Sequence, residues 1–176
     1  MVANLFFLFF FVCCGSLVIH SFILGISPMP SSKKARDKMI ELLPETIENG
    51  TIYELGSGWG TLAFLLAKSY PNVKVIALER SPVPYFFSRL RQFLLRKPNL
   101  VILRKNFYKQ NLSDARAIVC YLFPEGMKKL SVKLKRQPPS QCTLVSNTFS
   151  LPEWDNNIPF FLNDLAAARI YRYKWY

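Results

Sequence analysis

At 176 residues and 51% hydrophobic composition, the chain has room for one modest domain and an appendage, and not for several full domains. A net charge of +12 predicts a basic surface, suited to anionic lipid headgroups or nucleic acid. The four cysteines, at positions 13, 14, 120 and 142, have neither zinc spacing nor the pattern of a disulfide framework, and they fit a reducing compartment.

From Val2 to Ile26 no charged residue occurs in 25 positions. About 20 apolar residues suffice to cross a bilayer, so residues 1–27 read as one transmembrane anchor. A cleaved signal peptide fits less well, because no Lys or Arg precedes the run, whereas Lys33, Lys34, Arg36 and Lys38 follow it. That asymmetry places the remaining chain on the cytoplasmic side, or on the matrix-like side of an organelle, as a single-pass membrane protein. Residues 28–50 form a Pro/Ser linker and a basic helix over Lys33–Leu43, stopped by Pro44. That helix lies either over a ligand site or against a membrane surface.

Residues 51–176 alternate strand and helix patterns and predict a doubly wound, Rossmann-like α/β sheet. The first strand, Thr51–Leu55, runs into Gly56-Ser57-Gly58-Trp59-Gly60 and then into a helix from about Trp59 to Ser69. A strand, a glycine turn and a helix N-terminus together make a cradle for a small molecule. Thr61 stands where a dinucleotide fingerprint needs its third glycine, and no Gly-Lys-Ser/Thr follows, so neither a dinucleotide nor a phosphate loop fits. The second strand, Val73–Leu78, ends at Glu79, 23 residues beyond Gly56 and suitably spaced to bind ribose hydroxyls.

Ser81-Pro82 opens a helix over Tyr85–Lys97, with Phe86, Leu90, Phe93 and Leu94 as its apolar stripe and Arg89, Arg91, Arg96 and Lys97 as a solvated basic face. Leu100–Leu103 is the third strand and Ala117–Phe123 the fourth, ended by Pro124-Glu125-Gly126. Met127, Leu130, Val132 and Leu134 mark a weaker basic helix. Cys142–Phe149 is the fifth strand, and Ile170–Trp175 alternates as an edge strand with one wet face. Cys120 and Cys142 fall in strands as small core residues.

Glu54-Leu55-Gly56-Ser57-Gly58-Trp59-Gly60 resembles the first motif of the seven-strand S-adenosylmethionine (SAM) methyltransferases. The anchor, the basic helix, Tyr121-Leu122-Phe123-Pro124-Glu125-Gly126-Met127 and Ser146–Trp154 narrow the likeness further. They resemble the small membrane-anchored protein-lysine methyltransferases, relatives of those acting on ATP synthase subunit c and the adenine nucleotide translocase. The resemblance implies SAM as cofactor, held by Glu54, Gly56, Ser57, Gly58, Gly60, Glu79, Asn106 and Phe107, with the last two at the adenine. It implies Glu125 and Tyr121 as catalytic candidates, and Asn147 and Trp154 lining the path of the substrate lysine. Trp59 and Asn106 stand where the family usually carries acidic residues.

The expected activity is therefore methylation of a lysine in a membrane-associated protein, beside an anionic membrane surface. A methyltransferase for RNA, a lipid or a small molecule is the first alternative, and a non-catalytic protein that kept the fold is the second. The chain has no added RNA-binding module, which argues against nucleic acid as partner.

Overall fold

The structure is a computed structural model describing residues 7, 15, 31–154, 158–163 and 167–176. Apart from Phe7 and Gly15, the expected anchor over 1–27 lies outside the described residues. Among the described residues no helix is long and apolar enough to cross a membrane.

Helix α1 (Lys33–Glu41) is followed by β1 (Thr51–Leu55), α2 (Thr61–Ser69), β2 (Lys74–Glu79), α3 (Pro82–Leu95), β3 (Leu100–Arg104), a 3-10 turn (Phe107–Lys109), β4 (Ala115–Cys120), α4 (Pro124–Arg136), β5 (Thr143–Asn147), β6 (Phe160–Phe161) and β7 (Arg169–Lys174). The seven strands lie in the order β3-β2-β1-β4-β5-β7-β6. The first five are mutually parallel; β7 runs antiparallel to both β5 and β6. The order reverses between β1 and β4, so the carboxyl ends of those two strands flank the crevice where ligands of open α/β sheets bind.

Alternation along the strands builds two cores. Ile52, Val75, Ala77, Ala117 and Val119 face α1 and α2 on one side of the sheet. Leu55, Leu78, Ile118, Cys120 and Leu144 meet Met127, Leu130 and Leu134 of α4 on the other. The central strands are apolar on both faces, as buried parallel strands must be. Cys120 and Cys142 are free and buried, and burial pushes both thiols up to about 12, so they are inert packing groups.

Several boundaries differ from the sequence expectation. Strand β4 stops at Cys120, and Tyr121–Phe123 form a turn instead of its end. Pro124 does not terminate a strand but opens α4, where its missing N–H costs nothing. Val132 points to solvent. Strand β7 is not an edge, since β6 pairs with its outer side. Helix α3 is turned over relative to expectation. Its apolar stripe, Phe86, Leu90, Phe93 and Leu94, is exposed, and Pro84 and Ser88 face inward.

Two loop residues hold the amino edge of the sheet. Asp114 accepts from Thr51 Oγ1 at 2.7 Å and from the Tyr53 hydroxyl at 2.9 Å. Asn99 donates to the carbonyls of Ala67, Tyr70 and Val73 at 2.9–3.1 Å, closing the end of α2 onto the start of β2. Gly50 enters β1 at φ +134°, with the space for a Cβ taken by Arg116 Cγ and by the Asp114 carbonyl at 2.8 Å. Gly50→Ala is expected to destabilise the fold by about 2 kcal/mol through this clash and the unfavourable φ, read as a lower urea midpoint at unchanged m.

Candidate active site

The carboxyl edge of the sheet gathers most of the residues singled out above. After β1 the backbone turns through Gly56, Ser57, Gly58 and Trp59 to Gly60, with φ of +74°, +52° and +75° at the three glycines. The N–H groups of Gly56 and Ser57 donate to the Leu78 carbonyl at 2.9 and 3.1 Å, which pins the loop to the end of β2. The Gly60 N–H donates back to the Ser57 carbonyl at 2.8 Å, and Gly60 caps α2 with no side-chain acceptor. Helix α2 therefore starts two residues later than expected, at Thr61. A Cβ on Gly58 would meet no atom within 4 Å, so the loop is open to a ligand at that point.

Two buried acids stand behind the loop. Glu79, at the end of β2, accepts from the Gly58 N–H through Oε2 and from the Ser81 N–H through Oε1, both at 2.7 Å. Each carboxylate oxygen keeps a further lone pair for a ligand hydroxyl. Glu54, at the end of β1, is fully buried, and its acid is pushed up to about 8, chiefly by loss of water and secondarily by the charge of Glu79. A backbone hydrogen bond from Ala63, in the first turn of α2, works in the opposite direction. Glu54 Oε2 and Ser57 Oγ are buried without a hydrogen-bond partner. Such orphan polar atoms are costly to leave unpaired. A cationic group that donates hydrogen bonds would satisfy such atoms and relieve the Glu54–Glu79 repulsion, so the residues fit a ligand carrying an ammonium centre.

After β3, Asn106 does not point its amide freely into the crevice. Its Oδ1 accepts from the Tyr108 N–H at 3.0 Å and caps the 3-10 turn. Phe107 is buried against Tyr108, with ring centroids 4.2 Å apart. The Tyr108 hydroxyl donates to the Gly126 carbonyl at 3.1 Å, tying this turn to α4.

The ends of β4 and β5 carry an aromatic group. Tyr121 and Phe123 both stack on Phe149, at 6.4 and 5.6 Å between centroids. Phe123 and Phe149 were not picked out by sequence as site residues, although both lie in the Tyr121–Met127 and Ser146–Trp154 stretches that carry the resemblance. Asn147 ends β5, buried, and donates to Ser31 Oγ at 2.9 Å.

Two expected residues stand apart from this group. The Glu125 carboxylate is 69% exposed in the first turn of α4 and pairs with Lys129 at 3.6 Å. Trp154 packs against Trp175 and Tyr173, and its indole N–H donates to Ser131 Oγ at 3.2 Å, in the core beneath α4. Trp59, between the glycines, lies with its ring 5.5 Å from Phe87 of α3.

The sequence profile of the ANTKMT methyltransferase domain matches residues 54–158, and the chain belongs to this methyltransferase family. A protein-lysine N-methyltransferase from Saccharolobus islandicus (strain REY15A) is 22% identical over 141 residues, covering 77% of this chain and 84% of the relative. Among solved structures, an RNA methyltransferase from Salinibacter ruber in complex with S-adenosyl-L-homocysteine superposes with a TM-score of 0.69 at 24% identity, over 83% of this chain and 93% of that one. Precorrin-6y C5,15-methyltransferase from Geobacter metallireducens GS-15 gives a TM-score of 0.63 at 14% identity, over 84% and 90%. At those identities the two structures speak to the fold. The chain is a SAM-dependent methyltransferase with the seven-strand sheet of that class, and its cofactor is SAM.

The folded protein retains the Glu54 proton up to about pH 8, whereas the unfolded chain releases it near pH 4.5. Between those values the native state binds more protons, so this group makes stability fall as pH rises. Glu54→Gln is expected to remove that slope and to raise the melting temperature at pH 8 by several degrees, from ~1 kcal/mol or more. It is expected to weaken SAM binding about tenfold or more, through loss of a charge-assisted contact. In the unaltered protein, SAM affinity measured calorimetrically is expected to rise from pH 6 to pH 7.5, below the Glu54 value of about 8, with proton release on binding.

Proposed function

We propose that this member of the ANTKMT methyltransferase family transfers the methyl group of SAM to the ε-amine of a lysine in a membrane-associated protein. The family match over residues 54–158 carries this reading, because it spans the glycine loop, the aromatic turn after β4 and the Ser146–Trp154 segment. The Saccharolobus islandicus relative named as a protein-lysine N-methyltransferase supports the same acceptor.

SAM, when bound, supplies an electrophilic methyl on a sulfonium. The acidic pair Glu54 and Glu79, the glycine loop and the apolar wall at Phe107 are assigned to hold it, with Asn106 shaping the turn at its adenine end. An amine attacks such a methyl only when neutral, and a lysine in water keeps its proton up to about pH 10.4. The Tyr121–Phe149–Phe123 stack offers π faces that receive the incoming ammonium. The same apolar surroundings then favour its neutral form. The Tyr121 hydroxyl and the Asn147 amide are assigned to orient the amine. Glu125, exposed in the first turn of α4 and paired with Lys129, is assigned to take up the released proton through solvent. Little further acid–base work is needed, since alignment and exclusion of water supply most of the rate.

The membrane part of the proposal draws on the start of the chain. Ser31, bonded to Asn147, follows the uncharged stretch over residues 2–26 by a few residues. Ser31 thus meets the fold at the carboxyl end of β5.

The test uses the full chain, labelled SAM and a membrane fraction. Label is expected in protein bands and, after acid hydrolysis, as methyl-lysine. Label found only in RNA or lipid would overturn the acceptor assignment. Phe149→Ala is expected to lower kcat/KM for the lysine substrate about 10–100-fold while leaving SAM affinity within about twofold.

A further inference from the structure

Helix α3 carries its amphipathicity on the wrong side for a soluble protein. Phe86 is 58%, Phe93 73% and Leu94 69% exposed, and Phe87 and Leu90 lie on the same outward face. At 100° per residue these five positions occupy one stripe about 120° wide. The inward face is small and polar instead. Ser88 is fully buried with its hydroxyl on the Tyr85 carbonyl at 2.8 Å, and Gln92 donates to the Leu100 carbonyl. A contiguous apolar stripe of this size marks an interaction surface.

Its surroundings decide what the surface meets. From Arg80 to Ser113 the sequence contains no Asp or Glu and eight Lys or Arg. Arg89 and Arg96 border the apolar stripe and are exposed. An aromatic and aliphatic face rimmed only by cations matches the anionic headgroups and upper acyl chains of a lipid bilayer. At 14 residues α3 is too short to span a bilayer and suits lying in its surface. Trp59 extends the patch from the glycine loop through its contact with Phe87, and tryptophan is the residue type favoured at the membrane boundary.

We propose that the outward face of α3, with Trp59, is a docking surface for an anionic lipid bilayer, which sets the glycine loop and the carboxyl edge of the sheet against the membrane. This deepens the functional reading by naming the surface that delivers the site to a membrane substrate, and it rests on that reading only for its purpose. Binding here is separable from the apolar stretch near the N-terminus, because it depends on α3 and on lipid charge.

The test places a photo-crosslinking benzoylphenylalanine at position 93 of the full chain, in vesicles of phosphatidylcholine with or without phosphatidylglycerol. A second chain carries it at Val132, exposed on α4. Illumination is expected to give lipid adducts at position 93 and none at position 132. Phosphatidylglycerol is expected to increase the yield at 93 about fivefold or more, and Arg89→Glu with Arg96→Glu to remove that increase. Adducts at 93 to residues of this chain or to a second copy, in place of lipid, would overturn the proposal. So would equal labelling at 93 and 132, or labelling indifferent to lipid charge. SAM binding and methylation of a soluble lysine peptide, measured on the same proteins, report on the functional reading separately, since neither requires the bilayer.

Discussion

Glu79 is the joint on which the candidate site turns. One carboxylate oxygen takes the Gly58 N–H and the other takes the Ser81 N–H, so one side chain fixes the glycine loop and the start of α3 at once. Hydrogen bonds to a charged acceptor are roughly twice as strong as neutral ones, and these lie in a water-poor site. The same carboxylate raises the proton affinity of Glu54 behind it. Loop shape, helix entry and the electrostatics of the crevice therefore rest on the one residue.

The charge distribution follows from this. The chain as a whole is strongly cationic, yet the crevice is lined at its base by two buried acids. A pyrophosphate would have to approach both carboxylates, while a ligand with positive centres is drawn to them. Burial makes the preference steep, because two adjacent acids deprived of water cannot both stay ionised without a cation between them. At the start of α2 the Ala63 N–H donates to Glu54, so the helix entry supports the buried acid.

Much of this was legible in the sequence. Thr51–Leu55 was read to the residue, because an apolar run into glycines has few other solutions. The parallel strands, each built on a short apolar run, were located within one or two residues, apart from β4. There Tyr121–Phe123 extend the apolar run without pairing, since their aromatic side chains stack on Phe149 across the strand ends. A hydrophobic pattern cannot separate a strand from an apolar site wall. Trp154 was read as lining the substrate path, whereas its indole N–H and ring are absorbed by Ser131 and Trp175, partners reached only through tertiary packing. β7 alternates as an edge strand would, and nothing local announces that the two residues of β6 cover it.

The reversal of α3 has a steric cause that ties these threads together. A Cβ on Gly60 would lie 3.2 Å from Ser88 Cβ, so the glycine loop and the inner face of α3 pass at backbone distance. Only a small residue fits α3 at that crossing, and a Phe or Leu in the position of Ser88 would push the helix off the loop that Glu79 holds to it. The large side chains are thereby forced outward. A stripe that periodicity assigns to the core has no room there, and it becomes the surface that Arg89 and Arg96 border. Trp59, anomalous between glycines when read as part of a ligand loop, is then in place as the link between the two, because its ring reaches Phe87 on the outer side of the same crossing.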